Sequence, residues 1–186
     1  EQIIPNLYRV PVPLPGNPLK ELNAYLLRGS DLCLLVDTGF RQEACRQALF
    51  AQLKELGLEP GDVDVLLTHL HSDHAGLAPE AAGERGTIYI SDVDRQSLDL
   101  STEQRAARWE SITKRFFDEG FPADLLADME HTNPARSMAP PVGGHYESLT
   151  DRQVLEAGDF RLKALLMPGH TPGQMCVWLE KEGLML

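Results

Sequence analysis

The sequence lacks several features that would each indicate a particular class of protein. It has no run of about 18 apolar residues, which excludes an ordinary membrane-spanning helix. Basic side chains are outnumbered, with 17 lysines and arginines against 28 aspartates and glutamates and a net charge of −11. That balance argues against binding that depends on neutralising phosphates. We therefore expect a small-molecule substrate, with neither a nucleic-acid nor a membrane partner.

Cysteine is scarce and poorly spaced for a structural role. The three cysteines, Cys33, Cys45 and Cys176, form no CxxC pair, and their odd number disfavours a disulfide framework or a zinc knuckle. Cys33 lies in an apolar run and is expected to be a small buried hydrophobe. Free thiols are typical of a reducing compartment, so the sequence favours a cytoplasmic protein.

What is present is an alternation of strand and helix patterns over 186 residues, a length that fits one domain. The prolines between Pro11 and Pro18 predict a connection, and residues 92–148 predict a mostly helical insertion that ends in an irregular loop from 131. The order predicts an α/β fold, in which ligands bind beyond the carboxyl ends of strands. Strands are predicted at 7–10, 23–27, 32–36, 63–67, 87–91, 153–155, 160–167, 174–179 and 184–186, and helices at 41–56, 78–82, 102–117 and 122–129.

The strongest chemical signal directly follows the apolar strand at 63–67. The segment Thr68-His69-Leu70-His71-Ser72-Asp73-His74-Ala75-Gly76 places three imidazoles and a carboxylate within six positions. Zinc prefers nitrogen from neutral histidine and oxygen from aspartate. Alternate residues of an extended segment share a face, so His69 and His71 can hold one ion together. A turn after His71 would direct Asp73 and His74 to a neighbouring point.

This segment resembles the HxHxDH signature of the metallo-β-lactamase superfamily, which includes the glyoxalase II-like hydrolases. Two further segments are similar to other motifs of that family and occur in the family's order. Val36-Asp37-Thr38-Gly39 resembles its first motif, and Pro168-Gly169-His170-Thr171-Pro172-Gly173 resembles the motif that holds its next metal-binding histidine. The resemblance covers nearly the whole chain apart from residues 92–148.

The resemblance implies a set of metal ligands and a cofactor. Asp37 is implied to steady the metal-bearing loop without binding metal itself, as contacts behind a ligand commonly do. Two zinc ions are the expected cofactors, with iron or manganese as alternatives. The implied ligands are His69, His71 and His170 for the first ion, and Asp73 and His74 for the second.

Weaker signals concern the loop around His170 and the insertion. Gly169 and Gly173 are expected to let that loop approach the metal closely. His131 and His145 have no ligand spacing around them and are expected to be exposed or locally bonded. The insertion's aromatic residues are expected to pack, or to line an entrance if the helices cover the site. These are Trp109, Phe116, Phe117 and Phe121.

The family's full fold is a four-layer αββα sandwich of two similar halves. This chain resembles the first half and the opening of the second, so we expect residues 1–186 to be a single domain that is incomplete at its C-terminus. The family pattern continues after His170 with a Gly-Asp pair, whose Asp bridges both metals, and a later histidine. The sequence stops at Leu186, near the expected Gly-Asp pair, which predicts weak or no activity for the isolated chain. A homodimer that exchanges elements is the alternative to truncation.

The resemblance implies hydrolysis of a small ester, thioester or lactone by metal-activated water, with Asp73 orienting the nucleophile and moving a proton. One alternative is an iron-dependent oxidoreductase on the same fold, similar to persulfide dioxygenases. His71 argues against the di-iron type, which has glutamate at that position. A nuclease relative is disfavoured by the acidic charge, and a non-catalytic metal-binding relative is a further alternative. Residues 92–148 are expected to form a lid that sets specificity.

Overall fold

The computed structural model describes residues 1–186 apart from the side chains of Glu130 and His131, and within that range the chain forms eleven strands and seven helices. His131, which the sequence predicts to be exposed or locally bonded, therefore lies outside the described side chains. The strands are β1 (Gln2–Ile4), β2 (Leu7–Pro13), β3 (Glu21–Arg28), β4 (Cys33–Val36), β5 (Val63–Leu66), β6 (Ile88–Ser91), β7 (Tyr146–Leu149), β8 (Val154–Ala157), β9 (Phe160–Leu166), β10 (Met175–Leu179) and β11 (Leu184–Met185). The helices are α1 (Glu43–Glu55), α2 (Ser72–Ala75), α3 (Ala78–Ala82), α4 (Asp92–Leu98), α5 (Thr102–Asp118), α6 (Ala123–Thr132) and α7 (Pro134–Ser137).

The strands form two sheets. Seven strands make the first sheet in the order β1-β2-β3-β4-β5-β6-β7, in which β1 to β4 are antiparallel and β4 to β7 are parallel. Four strands make the second, antiparallel sheet in the order β11-β10-β9-β8. All four residues of β4 are buried, as expected for a central strand that is covered on both faces.

Two apolar cores lie on opposite faces of the first sheet. On one face, α1 and α3 pack against the sheet through residues such as Leu35, Leu49 and Val65. On the other face, Leu34 and Val36 of β4 belong to a core shared with β9 and β10 of the second sheet. The order of layers among the described residues is therefore helices, first sheet, second sheet, the α/β/β part of the expected sandwich.

The prediction that a connection begins at Pro11 is wrong, because β2 continues through Pro13. Pro11 pairs with Asn23 and Pro13 with Glu21 on β3. The partner on the other side, β1, pairs only with Leu7 and Tyr8 at the beginning of β2. The later part of β2 therefore has a free side, where a residue without an N–H group breaks no ladder hydrogen bond.

The predicted insertion at 92–148 is helical in the form of α4 to α7, but its last residues are not an irregular loop. Residues Tyr146–Leu149 form β7, which pairs in parallel with β6. Only Tyr146 and Leu149 of this strand are buried. The apolar pattern of these four residues, which follow a glycine pair, was therefore too short to predict a strand. His145, just before the strand, is exposed as expected.

The three cysteines are free thiols, as predicted, and Cys33 is buried. No described helix combines the length and the apolar character required to cross a membrane.

Candidate metal centre

The candidate site lies at the carboxyl ends of the parallel strands. Asp37 directly follows β4, the segment from Thr68 to His74 follows β5 after one further residue, and α4 begins directly after β6. The carboxyl ends of parallel strands share one edge of a sheet, so three separate stretches of sequence meet there. The loop after β9, which holds His170, reaches the same place from the second sheet.

Three histidines converge at this edge. His71 Nδ1 lies 2.9 Å from His170 Nε2, although the residues are 99 positions apart. One ligand atom from each of His69, His71 and His170 lies within 4.8 Å of the others. His69 is buried, and its Nε2 has no hydrogen-bond partner among the described residues. Buried polar atoms are normally satisfied, so this nitrogen lone pair or N–H is an open coordination or hydrogen-bonding position.

The protonation states of His69 and His71 allow these two rings to bind a cation. The pKa of His69 is lowered to about 3. Burial is the largest cause, and the charge of the neighbouring His74 is the second. The pKa of His71 is also lowered, mainly by burial and to a smaller extent by the charge of His170. Both rings are therefore neutral at pH 7, and neutral imidazole is the form that binds metal. Three imidazole nitrogens at this separation match the donor set of a zinc site. The residues fit a metal ion, and their role as its ligands stays a prediction.

Asp37 holds the motif loop in place. Its Oδ1 accepts a hydrogen bond from Thr68 N at 2.9 Å, and its Oδ2 accepts one from Thr68 Oγ1 at 2.7 Å. His74 Nδ1 lies 2.7 Å from the same Oδ2. The backbone of Asp37 has a φ of 60°, a left-handed conformation that aspartate tolerates better than most residues. These contacts go to the loop and one ring, and the positioning role that the resemblance implies for Asp37 stays a prediction.

Asp73 and His74 adjoin the three-histidine cluster. The ring centroid of His74 lies 4.0 Å from that of His69, and its Nε2 lies 3.8 Å from Asp73 Oδ2. Burial opposes a charge on His74, but the hydrogen bond to Asp37 and the attraction of both carboxylates raise its pKa overall. The two side chains are thus close enough to serve a neighbouring ion, which remains a prediction.

Asp94 is a site residue that the sequence reasoning missed. It lies in the first turn of α4, where Ser91 Oγ accepts a hydrogen bond from its backbone N–H at 3.2 Å. Its buried carboxylate accepts hydrogen bonds from Leu70 N at 3.1 Å, Thr171 Oγ1 at 3.0 Å and Gly173 N at 3.1 Å. One side chain therefore joins the loop of His69 and His71 to the loop of His170.

A signal for Asp94 was present in the sequence. The strand at 87–91 is the third in the α/β alternation, and its carboxyl end had to fall on the same edge as Asp37 and His69. Acidic residues in the following turn were therefore candidates for contact with the metal-bearing loops.

The two glycines of the His170 loop differ. A Cβ on Gly173 would lie 2.3 Å from Ser91 Oγ and 2.5 Å from Asp94 Oδ1, so close approach to these two side chains requires glycine there. A Cβ on Gly169 would meet nothing within 4 Å, and its φ lies outside the left-handed range. Packing against the described protein atoms therefore does not require glycine at 169, and its expected approach to a metal stays a prediction.

Comparison with known proteins agrees with this geometry. The family model of the metallo-beta-lactamase superfamily matches residues 20–186. The chain belongs to this superfamily. Among solved structures, a metallo-beta-lactamase family protein from Thermus thermophilus matches all of the chain with a TM-score of 0.84 and 34% identity. The α/β fold of the metallo-β-lactamase type predicted from the motifs is therefore confirmed.

Two curated relatives have names that concern activity. The first is "Probable metallo-hydrolase YqjP" of Bacillus subtilis, 29% identical over 96% of this chain and 54% of its own length. The second is "Acyl-coenzyme A thioesterase MBLAC2" of Gallus gallus, 27% identical over 83% of this chain and 52% of its own length. The chain spans 59% of the Thermus protein, and thus between about half and three-fifths of each of these three proteins.

Proposed function

We propose that this protein is a zinc-dependent hydrolase that cleaves a small thioester, ester or lactone. The observation that carries the proposal is the convergence of His69, His71 and His170, together with the buried Nε2 of His69, which has no hydrogen-bond partner among the described residues. The similarity to a protein named as an acyl-coenzyme A thioesterase supports thioesters within that class.

In this proposal the three histidines hold the first ion, and Asp73 and His74 contribute to a second. A zinc ion in such a site supplies Lewis acidity, which lowers the pKa of water towards about 7 and polarises a carbonyl group. Neutral His69 and His71 suit this role, because a protonated imidazole would repel the ion.

The chain's own groups divide the remaining tasks. Asp73 is half-buried next to His74, where its carboxylate can orient the attacking water, accept its proton and pass that proton to the leaving thiolate or alkoxide. Asp37 and Asp94 keep the metal-bearing loops in register through five hydrogen bonds from Thr68, Leu70, Thr171 and Gly173. Positioning of this kind matters because misplacement by about 1 Å can cost about a hundredfold in rate.

The test combines metal analysis of the intact, full-length protein with its turnover of a thioester panel. We expect His69→Ala to lose bound zinc and turnover, and Asp73→Asn to keep the first ion while turnover falls by at least about a hundredfold. His145→Ala is the matched control, since His145 is exposed and is not part of the site. Unchanged turnover in both site variants would remove the proposal. One iron per chain with oxygen consumption would support the persulfide-oxidising alternative.

A further inference from the structure

A cavity of about 220 Å³ lies directly beside the metal centre, with His71 as part of its wall. The motif loop forms one side, and the helical insertion forms the rest through the end of α4, one face of α5 and the segment around α7. It is lined by Leu70, His71, Ser72, Ser97, Leu98, Leu100, Arg105, Arg108, Trp109, Ile112, Ala135, Ala139 and Pro140.

The wall of this cavity is mainly apolar. Leu70 and Leu98 flank His71, and Trp109 and Ile112 face the cavity from α5. A volume of about 220 Å³ suits an acyl chain of modest length. None of the α5 residues is buried, so the apolar face that α5 presents here does not belong to either core. An apolar cavity that opens on reactive groups is the usual form of a substrate pocket.

Arg105 holds two walls of the cavity together. Its Nη1 donates to the carbonyl of Pro140 at 2.7 Å and its Nη2 to that of Leu98 at 2.6 Å. The α5 helix is thereby tied to the end of α4 and to the segment after α7. These bonds make the cavity a pre-formed feature and not a gap between loosely packed helices.

Arg108 gives the cavity a positive edge. It is exposed, and its Nη1 donates to Ser97 Oγ at 2.8 Å. No carboxylate in the described part of the chain forms an ion pair with Arg108 or Arg105, although acidic residues outnumber basic ones by 28 to 17. Two arginines without a carboxylate partner favour an anionic group at this position.

We propose that this cavity binds the apolar acyl group of a thioester or ester whose leaving group carries an anion next to Arg108. The inference rests on the proposed hydrolase function and names its substrate class. In the reaction, water oxygen bonds to the acyl carbon and the carbon–sulfur bond breaks. The thiolate takes up one proton of the water and the other proton passes to solvent, so the products are a carboxylate, a thiol and a released proton.

Acyl length is tested first. For coenzyme A thioesters from acetyl to hexanoyl, kcat/KM should rise about threefold to fourfold with each added methylene until the cavity is full. Ile112→Trp, whose larger side chain narrows the cavity, should weaken this dependence, with hexanoyl turnover falling by a larger factor than acetyl turnover. Ser111→Trp is the matched control, because Ser111 is an exposed neighbour on α5 that does not line the cavity. A flat length profile in the unaltered protein, or a wild-type profile in Ile112→Trp, overturns the proposal.

Binding gives a readout that is independent of turnover. Calorimetry with the thioethers S-methyl-coenzyme A and S-hexyl-coenzyme A should show tighter binding of the hexyl compound, and Ile112→Trp should reduce the difference. If the hexyl compound binds more tightly but no thioester is hydrolysed, the proposed function fails and the acyl pocket stands. If thioesters are hydrolysed with no difference between the two thioethers, the pocket fails and the hydrolase function stands.

The anionic group is tested with hexanoyl thioesters of coenzyme A and of N-acetylcysteamine, which differ in charge but not in acyl chain. Arg108→Gln should reduce the preference for the coenzyme A thioester by about twofold to fivefold, as expected for an exposed charge pair. Turnover of the neutral thioester should fall by a smaller factor, because that thioester carries no anion for Arg108 to attract. The preference should also weaken with added salt in the unaltered protein. An equal effect of Arg108→Gln on both thioesters contradicts a contact with the anion.

Discussion

At the scale of single residues, the site depends on carboxylates that do not need to touch a metal. Asp37 fixes the loop after β5, while Asp94 joins that loop to the one containing His170. Because the histidines come from different sheets, their separation depends on such contacts as much as on the strands that carry them.

We predict that Asp94→Ala lowers zinc affinity by about tenfold to a hundredfold, the usual cost of removing a group that orients a ligand. It also leaves the N–H groups of Leu70 and Gly173 without an acceptor, so the free energy of unfolding should fall by about 1–3 kcal/mol. Zinc titration and urea denaturation measure the two effects. Asp92→Ala, which removes an exposed carboxylate from the same helix, is the control. Equal zinc affinity in the two variants would show that Asp94 does not position the ligands.

Gly173→Ala tests the same contact from the other side. The added methyl group would overlap Ser91 Oγ and Asp94 Oδ1, so we expect a loss of about 1–3 kcal/mol in the free energy of unfolding and weaker zinc binding. Gly169→Ala is the matched control and should change neither by much, because its methyl group would enter open space. If both variants behave like the unaltered protein, the loop is not packed as described.

The histidines could be predicted from the sequence because their spacing and the flanking strand are local features. Asp94 has no such spacing, since its function arises when α4 packs against two loops that are distant in sequence. The difference between Gly169 and Gly173 was hidden for the same reason, because two glycines in one loop look alike until the atoms around each Cβ are known.

At the scale of elements, β7 is the last parallel strand of the first sheet and pairs with β6. Tyr146 and Leu149 are its two buried residues. The Tyr146 hydroxyl is buried and has no hydrogen-bond partner in the described part of the chain. Burial is the main cause that raises its pKa, to about 12. The folded protein therefore favours the neutral phenol.

We predict that Tyr146→Phe leaves stability near pH 7 unchanged or slightly higher, since it removes an unpaired buried hydroxyl. The sign of the pH effect follows from a pKa raised above the unfolded value of about 10. Stability due to the neutral phenol is complete below pH 10 and is lost as pH rises towards 12. Denaturation at pH 7 and pH 11 should show a smaller alkaline loss in the variant. A loss of stability at pH 7 would mean that the hydroxyl has a partner.

Most elements could be predicted because each has a periodic apolar pattern, as in α1 and β4. The failures at Pro11 and at β7 occurred where pairing partners decide the outcome. Whether a proline can stay in a strand depends on which side of the strand is free, and a four-residue strand becomes recognisable only next to its neighbour.

At the scale of the whole molecule, β4 lies between two apolar cores, and only one of them includes residues of the sheet that carries His170. Leu35 packs towards the helices, and Leu34 packs towards the second sheet, which carries His170. The second sheet is also attached to the motif loop by a hydrogen bond from Met175 N to the carbonyl of Thr68 at 2.8 Å.

These neighbouring leucines form a matched pair for experiment. Leu34→Ala and Leu35→Ala should each lower the free energy of unfolding by about 2–5 kcal/mol, because both side chains are fully buried. We expect only Leu34→Ala to weaken zinc binding at temperatures where both variants are folded, since it loosens the sheet that positions His170. Urea denaturation and zinc titration measure the two effects. Equal zinc affinities would indicate that packing between the sheets does not control the site.

The stacking of the second sheet on the first followed from the family resemblance and not from the residue pattern. Periodicity shows that a strand has an apolar face, but it does not show which other face will cover it.

The meeting of His71 with His170 also has a consequence for folding. An ion held by both would act as a reversible cross-link that closes a loop of 99 residues. For a covalent link closing about 100 residues, the chain-entropy model gives about 4.7 kcal/mol at 25 °C. Removal of the ion by a chelator should therefore release conformational freedom over more than half of the polypeptide, and susceptibility to proteolysis should rise across that whole stretch.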